Sequence, residues 1–171
     1  AAVLSLTGVM ILLGDDIAAL DPDRLQLAER TLPPLGRAAQ GHGLLTERFP
    51  SLFIRRTDGD VLAAVINWSD AATQREVTVT ELGLAAGPYH VYDCFADDYR
   101  PLDAGEPLRL SIAAHGTALL LVRPRSNHDR PQVVSITHHL GQTTTLLTSE
   151  TWDASRGLLT IELELPLFDF G

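Results

Sequence analysis

The first fourteen residues, Ala1 to Gly14, form an apolar run without a charged side chain. The run is shorter than the ~20 residues that a membrane-spanning helix needs, and it lacks the positively charged start of a secretory signal. A continuous apolar stretch is typical of a strand that is buried on both faces. We therefore predict a buried strand over residues 3–13. Because a single buried strand needs neighbours, we also expect this chain to be part of a longer protein.

A short helix is predicted over residues 22–32. Asp21 is a suitable N-cap, and a proline at the first helical position and an aspartate after it both favour a helix start. Leu25, Ala28 and Leu32 then form one apolar stripe. Two consecutive prolines end the helix, so residues 3–32 have the predicted order strand, turn, helix.

After residue 48 the pattern changes to short strands separated by turns rich in Gly, Pro and Asp. Asp58-Gly59 between residues 51–57 and 61–68 is a strong hairpin signal. In residues 74–81, Val77 and Val79 alternate with polar side chains. Further strands are predicted at residues 89–95, 108–112, 117–122, 132–137, 143–149 and 158–165. This spacing predicts a mainly β protein, an antiparallel β-sandwich of about eight or nine strands.

Composition limits the function classes. With 171 residues, 45% hydrophobic and 20% charged, the chain has the balance of one globular domain. Its net charge of −9 disfavours binding to nucleic acid or to an anionic membrane surface. A single cysteine, Cys94, excludes an internal disulfide framework and a cysteine-based zinc site. We predict no cofactor, and the lack of disulfides fits the cytoplasm without excluding export.

Three short patterns resemble metal sites. Gly14-Asp15-Asp16 matches a polymerase metal triplet, but the acidic chain offers no basic channel for a template. Asp169-Phe170-Gly171 matches a kinase triplet without the other kinase motifs. Adjacent side chains of a strand point to opposite faces, so His138-His139 is interpreted as one packed and one solvated histidine. No metal site is predicted.

The remaining candidates also have plain structural interpretations. Cys94 is expected to be a buried, inert thiol. Trp68 and Trp152 are either sugar-stacking platforms or core and corner residues, and the second interpretation is preferred. Asn67-Trp68-Ser69 fits an N-glycosylation acceptor, which matters in a secreted eukaryotic protein. Residues 97–99 are expected to form an exposed acidic loop.

The order of these segments resembles α-galactosidase-type glycoside hydrolases, the melibiases of families 27 and 36. LLGDDIAALDPDRLQLAERTLPPLGRAA, residues 12–39, is similar to their last barrel strand and helix. SLFIRRTDGDVLAAVINWSD, residues 51–70, resembles the opening hairpin of their C-terminal β-sandwich. VYDCFADDYRPLD and IAAHGTALLLVRP, at residues 91–103 and 112–124, resemble its later strands. The resemblance implies a β-sandwich at residues 50–171, preceded at residues 1–45 by one barrel-type strand and a short α-helix.

The resemblance also implies what this chain lacks. Such enzymes are retaining glycosidases that use two carboxylates about 5 Å apart, and in this family both lie on earlier barrel strands. Asp15 and Asp16 match the acidic turn that borders the substrate pocket, and they are not the nucleophile or the acid/base. We therefore expect a non-catalytic C-terminal region whose parent binds a carbohydrate substrate. The alternative is an independent carbohydrate-binding or interaction module, and we expect the uncovered strand 3–13 to pair two copies in a homo-oligomer.

Overall fold

A computed structural model describes residues 2–8, 14, 16–32, 36–57, 59–125, 129–140 and 146–164. The helices in these ranges are α1 (Ala2–Thr7), a 3-10 helix (Ile17–Ala19) and α2 (Pro22–Glu29). The strands are β1 (Gln40–His42), β2 (Leu52–Arg56), β3 (Val61–Ile66), β4 (Thr73–Val77), β5 (Tyr89–Asp93), β6 (Asp98–Leu102), β7 (Leu108–Ile112), β8 (Thr117–Pro124), β9 (Leu147–Asp153) and β10 (Leu158–Leu163). None of the described helices is long and apolar enough to span a bilayer.

The strands form three antiparallel sheets. The largest has six strands in the order β1-β2-β3-β8-β5-β6, and the other two are the pairs β4-β7 and β9-β10. The predicted mainly β, antiparallel sandwich is therefore confirmed. The central pair of the large sheet is β3 and β8, which run in register from Val61 opposite Val122 to Ile66 opposite Thr117.

The main core lies between the six-stranded sheet and the β4-β7 pair. Strand β7 alternates between buried and exposed residues, and Leu108, Leu110 and Ile112 point inward. From the large sheet, Val65 and Leu120 enter the same cluster. Alternation with a period of two residues is what a strand with one buried face produces, so this core follows directly from the sequence pattern.

A second core covers the opposite face of the six-stranded sheet. The sheet contributes Leu62, Ala64, Ile66, Leu119 and Leu121, and Leu6 of α1 and Leu140 cover them. Each of the two covering side chains is no more than 2% exposed. The backbone fixes both segments: Ala39 N donates to Leu6 O at 2.7 Å, and Leu140 N donates to Arg30 O at 2.8 Å. Because both of their faces are buried, β3 and β8 are apolar almost throughout.

A buried charged corner borders this second core. Arg123 Nε lies 3.6 Å from Asp60 Oδ1, and the Asp60 side chain is 2% exposed. Neighbouring Arg55 is also buried, and burial lowers its pKa to about 10. Paired charges offset part of the cost of removing each from water, so these groups are held at the rim of the apolar cluster.

The turn after β4 closes with a reciprocal hydrogen-bond pair. Thr78 N donates to Glu81 Oε2 at 2.8 Å, and Glu81 N donates to Thr78 Oγ1 at 3.1 Å, the arrangement of a capping box. The backbone hydrogen bond from Thr78 is the main reason why the pKa of Glu81 lies below its usual value, and the Arg75 charge adds to this effect. The turn places Leu82 in the main core.

The N-terminal strand prediction is wrong for the described residues. Residues 2–7 form α1, not a strand, and residues 9–13 lie outside the described residues. A short apolar run does not distinguish a buried strand from a buried helix by periodicity alone. The strand edge that we expected to pair two copies is absent from residues 2–7, since Leu6 packs against the sheet instead.

Helix α2 is confirmed at its start and ends earlier than predicted. Asp21 Oδ1 accepts a hydrogen bond from Asp23 N at 2.9 Å, as an N-cap does. After Glu29 the backbone continues with i to i+3 hydrogen bonds, including Leu32 N to Glu29 O at 3.0 Å. The residue that packs against the second core is Leu27, outside the predicted stripe.

Two predicted strands need correction and two strands were missed. Residues 132–137 form no strand, and side chains bind both backbone groups of Val133: its N donates to Glu150 Oε1 at 3.3 Å, and Arg123 donates to its O. The strand predicted at residues 143–149 is β9, which begins at Leu147, and residues 143–145 lie outside the described residues. The missed strands β1 and β6 are the two edges of the large sheet. An edge strand tolerates a proline such as Pro101 of β6, and β1 is only three residues long. Neither strand therefore has a clear alternation of apolar and polar residues.

Leu6→Ala is expected to lower the free energy of unfolding by about 2–4 kcal/mol, because it opens a cavity in the second core. Leu45→Ala is the matched control, since Leu45 is 98% exposed and its truncation should change stability by less than about 0.5 kcal/mol. Urea denaturation of both variants measures the difference. Equal stabilities would mean that α1 does not cover the sheet.

Glu81→Gln is expected to remove an acid-sensitive part of the stability. The folded pKa of Glu81 lies below its unfolded value of about 4.3. The wild type should therefore be more stable than the variant above about pH 5, and the difference should shrink as the pH falls through the folded pKa. The exposed Glu106→Gln is the control. Unfolding curves from pH 3 to pH 7 would contradict the prediction if all three proteins changed in parallel.

Candidate functional site

A cavity of about 750 Å³ opens between the end of α2, the turn from β5 to β6 and residues 137–138. Its volume lies within the range of ~300–1,000 Å³ found for small-molecule sites. The lining residues come from all three segments: Gln26, Glu29, Arg30, Leu32, Cys94, Phe95, Asp97, Thr137 and His138. It is the strongest candidate site among the described residues.

The wall formed by α2 carries the cationic group. Arg30 caps the C-terminus of α2, and its Nη2 donates to Cys94 O at 3.4 Å, which connects the helix to the β5–β6 turn. Arg30 Nε is buried and has no hydrogen-bond partner among the described residues. A buried donor without a partner costs free energy unless water or a ligand accepts from it. The guanidinium therefore retains hydrogen-bonding capacity at the cavity.

The opposite wall is a turn held by its own side chains. Asp93 Oδ1 accepts hydrogen bonds from Phe95 N at 3.0 Å and Ala96 N at 3.2 Å. Asp97 follows with φ of 53°, a left-handed conformation that aspartate tolerates better than most residues. Tyr92 donates its hydroxyl hydrogen to Asp97 Oδ1. Burial, together with this carboxylate, raises the pKa of Tyr92 to about 12, so the hydroxyl stays protonated as a donor.

The cavity combines groups of both charges with one aromatic surface. Glu29 and Asp97 supply carboxylates, Arg30 supplies a guanidinium group, and His138 supplies an exposed imidazole. Phe95 is 37% exposed. No group of three or more His, Cys, Asp or Glu side chains in the described ranges could hold a metal ion. The chemistry available here is hydrogen bonding in both directions beside an apolar ring.

Of the two predicted pocket-rim aspartates, only Asp16 is described, and it is not among the residues that line this cavity. Asp16 is exposed, and its Oδ1 accepts a hydrogen bond from Ala18 N at 3.2 Å as the cap of the 3-10 helix. Asp15 lies outside the described residues, and so do residues 169–171. The predicted role of Asp15 and Asp16 at the rim of a substrate pocket stays a prediction.

The histidine pair and the cysteine have the burial that the sequence predicts. His138 is exposed, whereas His139 is buried with its Nδ1 3.0 Å from Leu140 O. The predicted reason was wrong, since both residues lie in bends and not on a strand. Cys94, the single cysteine of the chain, is 3% exposed and lies in the second core.

The glycosylation motif has a structural role in the folded chain. Asn67 is 5% exposed, and its Nδ2 lies within hydrogen-bond distance of the carbonyl oxygens of Ala71, Ile112 and Ala113, at 2.7, 3.2 and 2.8 Å. The amide nitrogen that a glycan would modify is thus committed to the interior. Asn67 connects the loop after β3 to the end of β7.

The two tryptophans occupy different positions. Trp68 follows β3 at a corner, where its Nε1 donates to Pro50 O at 2.9 Å and its ring lies 5.9 Å from that of Phe49. It is 47% exposed, which fits the corner interpretation. Trp152 lies on β9 and is half-buried.

The cavity as a unit is not predictable from the sequence pattern. Cys94, Asp97 and His138 are candidates for separate reasons, whereas no motif gives a role to Glu29, Arg30 or Phe95. The three walls are far apart in the chain, and no local spacing connects them. One sequence signal points to the cavity: Arg30 lies at the end of a capped helix in a chain with only 13 Lys and Arg residues.

Comparisons with known proteins agree with this fold. Residues 54–122 match the family model of the alpha galactosidase C-terminal beta sandwich domain, a range that extends from β2 to β8. A comparison with curated protein sequences found no significant match.

Several solved structures share the fold at low identity. α-Galactosidase I from Mortierella vinacea has a TM-score of 0.57 and 12% identity over 71% of this chain and 33% of its own. α-Galactosidase from Saccharomyces cerevisiae, solved with raffinose, has a TM-score of 0.55 and 13% identity over 72% of this chain and 42% of its own. A GH27 β-L-arabinopyranosidase from Geobacillus stearothermophilus has a TM-score of 0.53 and 16% identity over 67% of this chain and 26% of its own.

The chain thus spans well under half the length of these relatives, and at such identities the likeness concerns the fold. The sheet order, the sandwich core and the family match over residues 54–122 agree with one another. Residues 54–122 therefore resemble the alpha galactosidase C-terminal beta sandwich domain in sequence, and the chain shares its fold with the solved α-galactosidases.

Proposed function

We propose that this chain is the non-catalytic C-terminal region of an α-galactosidase-like retaining glycoside hydrolase, and that it supports a catalytic barrel outside the chain. The family match over residues 54–122 carries the proposal. The relatives of known structure support it, because this chain corresponds to only part of each of them.

The strand arrangement agrees with a non-catalytic role. Retaining glycosidases hold two carboxylates about 5 Å apart, and barrel enzymes place such groups at the C-terminal ends of parallel strands. Every strand pair in the described ranges is antiparallel. The parallel barrel that would position the two carboxylates must then come from elsewhere in the parent protein.

In the proposal, residues 1–45 belong to the end of the barrel, with the exception of β1, which is an edge strand of the sandwich sheet, and residues 50–171 belong to the sandwich. Leu6 and Leu27 of the first segment contact the outer face of the six-stranded sheet, so this face joins the two parts. Asp15 and Asp16 would border the substrate pocket of the parent, which takes a carbohydrate.

An exposed apolar loop offers a second contact with the barrel. Between β1 and β2, Leu44, Leu45 and Phe49 are 64%, 98% and 57% exposed, and Trp68 lies beside Phe49. Contiguous apolar side chains on a surface are typical of an interaction site. We propose that this apolar loop packs against the barrel of the parent.

The purified chain is expected not to hydrolyse 4-nitrophenyl α-galactoside, since the strands in the described part of the chain form no barrel that could carry the two carboxylates. Sequencing upstream of codon 1 is expected to show that the reading frame continues into a barrel with two such residues. Turnover that survives purification and is lost in Asp16→Asn would contradict the proposal, and so would a stop codon directly upstream.

In the longer encoded protein, Leu45→Asp is expected to lower the melting temperature by several degrees, because a charge would be buried against the barrel. In the present chain the same change should have little effect, since Leu45 is exposed. Leu158→Asp on β10, where Leu158 is 45% exposed, is the control in both proteins. Differential scanning calorimetry measures all of them, and equal shifts for Leu45→Asp in both contexts would exclude this contact.

A further inference from the structure

We propose that the cavity between α2 and the β5–β6 turn binds a neutral hexopyranose sugar. The inference goes beyond the proposed function and does not depend on it. It depends on the residues that three separate segments bring to one cavity.

The walls of the cavity are fixed before any ligand arrives. Arg30 donates to Cys94 O across the cavity, Asp93 holds the backbone of Phe95, and Tyr92 holds Asp97. A site whose side chains are already positioned loses little conformational freedom when it binds. This matters for a small polar ligand, which has few contacts to offset that cost.

The charges favour a neutral ligand that carries hydroxyl groups. Glu29 and Asp97 accept hydrogen bonds, whereas Arg30 donates them. An anion such as phosphate would be repelled by two carboxylates, and a metal cation would be repelled by the guanidinium while finding no set of three ligands in the described residues. Each hydroxyl group of a sugar both donates and accepts, so a sugar matches the mixed set.

One buried donor lacks a partner among the described residues. Arg30 Nε is buried at the cavity wall without an acceptor. An oxygen atom of a bound sugar would supply that acceptor, and Gln26 and Thr137 add further polar groups to the lining. Such a donor is a common mark of a place that water or a ligand occupies.

The aromatic ring supplies the apolar part of the site. Phe95 lies on the same turn as Asp97 and is 37% exposed. The face of an aromatic ring is electron-rich, so it attracts the polarised C–H groups on one face of a pyranose ring. Small-molecule sites typically combine an apolar surface with a few oriented polar groups, as this cavity does.

The test is an NMR titration of the ¹⁵N-labelled full chain with methyl α-D-galactopyranoside, methyl α-D-glucopyranoside and methyl α-D-mannopyranoside. At least one sugar is expected to give saturable shifts with a dissociation constant of about 1–10 mM. The shifts should be largest at the amides of residues 29–30, 94–97 and 137–138.

Arg30→Gln and Phe95→Ala are each expected to weaken binding about tenfold. Arg24→Gln is the matched control, because Arg24 lies on the same helix, is exposed and is not among the lining residues. Spectra of the core amides establish that each variant is folded. Phe95→Ala, which truncates a partly exposed ring, keeps the test decisive if Arg30→Gln unfolds.

The proposal fails if none of the three sugars gives saturable shifts at tens of millimolar. It also fails if the shifts centre on Trp68 and Phe49, if Arg24→Gln weakens binding as much as Phe95→Ala does, or if inorganic phosphate gives the same shifts and displaces the sugar. The reading frame upstream and the hydrolysis assay have no bearing on these outcomes, so the two proposals succeed or fail separately.

Discussion

Burial of β3 and β8 on both faces is the constraint on which the rest of the structure depends. One face of this pair meets the β4-β7 sheet, and the other needs a cover of its own. Helix α1 and Leu140 supply that cover through side chains that are almost fully buried. An uncovered face of this size would leave a large apolar surface in water. Helix α1 and the segment around Leu140 are therefore needed to cover the sheet, although neither adds a strand to it.

The sandwich could be predicted because its strands follow the simplest pattern. In β7 every second residue is apolar, and the Asp-Gly pair between β2 and β3 marks their hairpin. A segment that packs on both sides, or that forms the edge of a sheet, lacks this alternation of apolar and polar residues. Residues 2–7 carry no charged side chain and form a helix, whereas β6 contains Pro101 and two charged residues yet pairs with β5. Tertiary contacts determine the secondary structure of such segments, so a prediction from local propensity gives the wrong element or none.

The candidate site was harder to predict for a different reason. The cap at Asp21 places the start of α2 correctly, but the position of Arg30 beside Cys94 depends on how the helix packs across the sheet. Contacts 64 residues apart in the chain leave no trace in a single sequence. The histidine pair shows the same limit, because the predicted burial was right and the strand used to argue it does not exist.

The walls of the cavity are also the cover of the six-stranded sheet. Leu27 of α2 packs against the second core, and Leu140 inside it donates its backbone hydrogen to Arg30 O. An occupant that touches both Arg30 and His138 would therefore hold the cover closed. By thermodynamic linkage, its binding free energy adds to the stability of the sheet face beneath it. Loss of the cover would in turn destroy the cavity. Ligand binding in the cavity and local unfolding of the cover are therefore thermodynamically coupled.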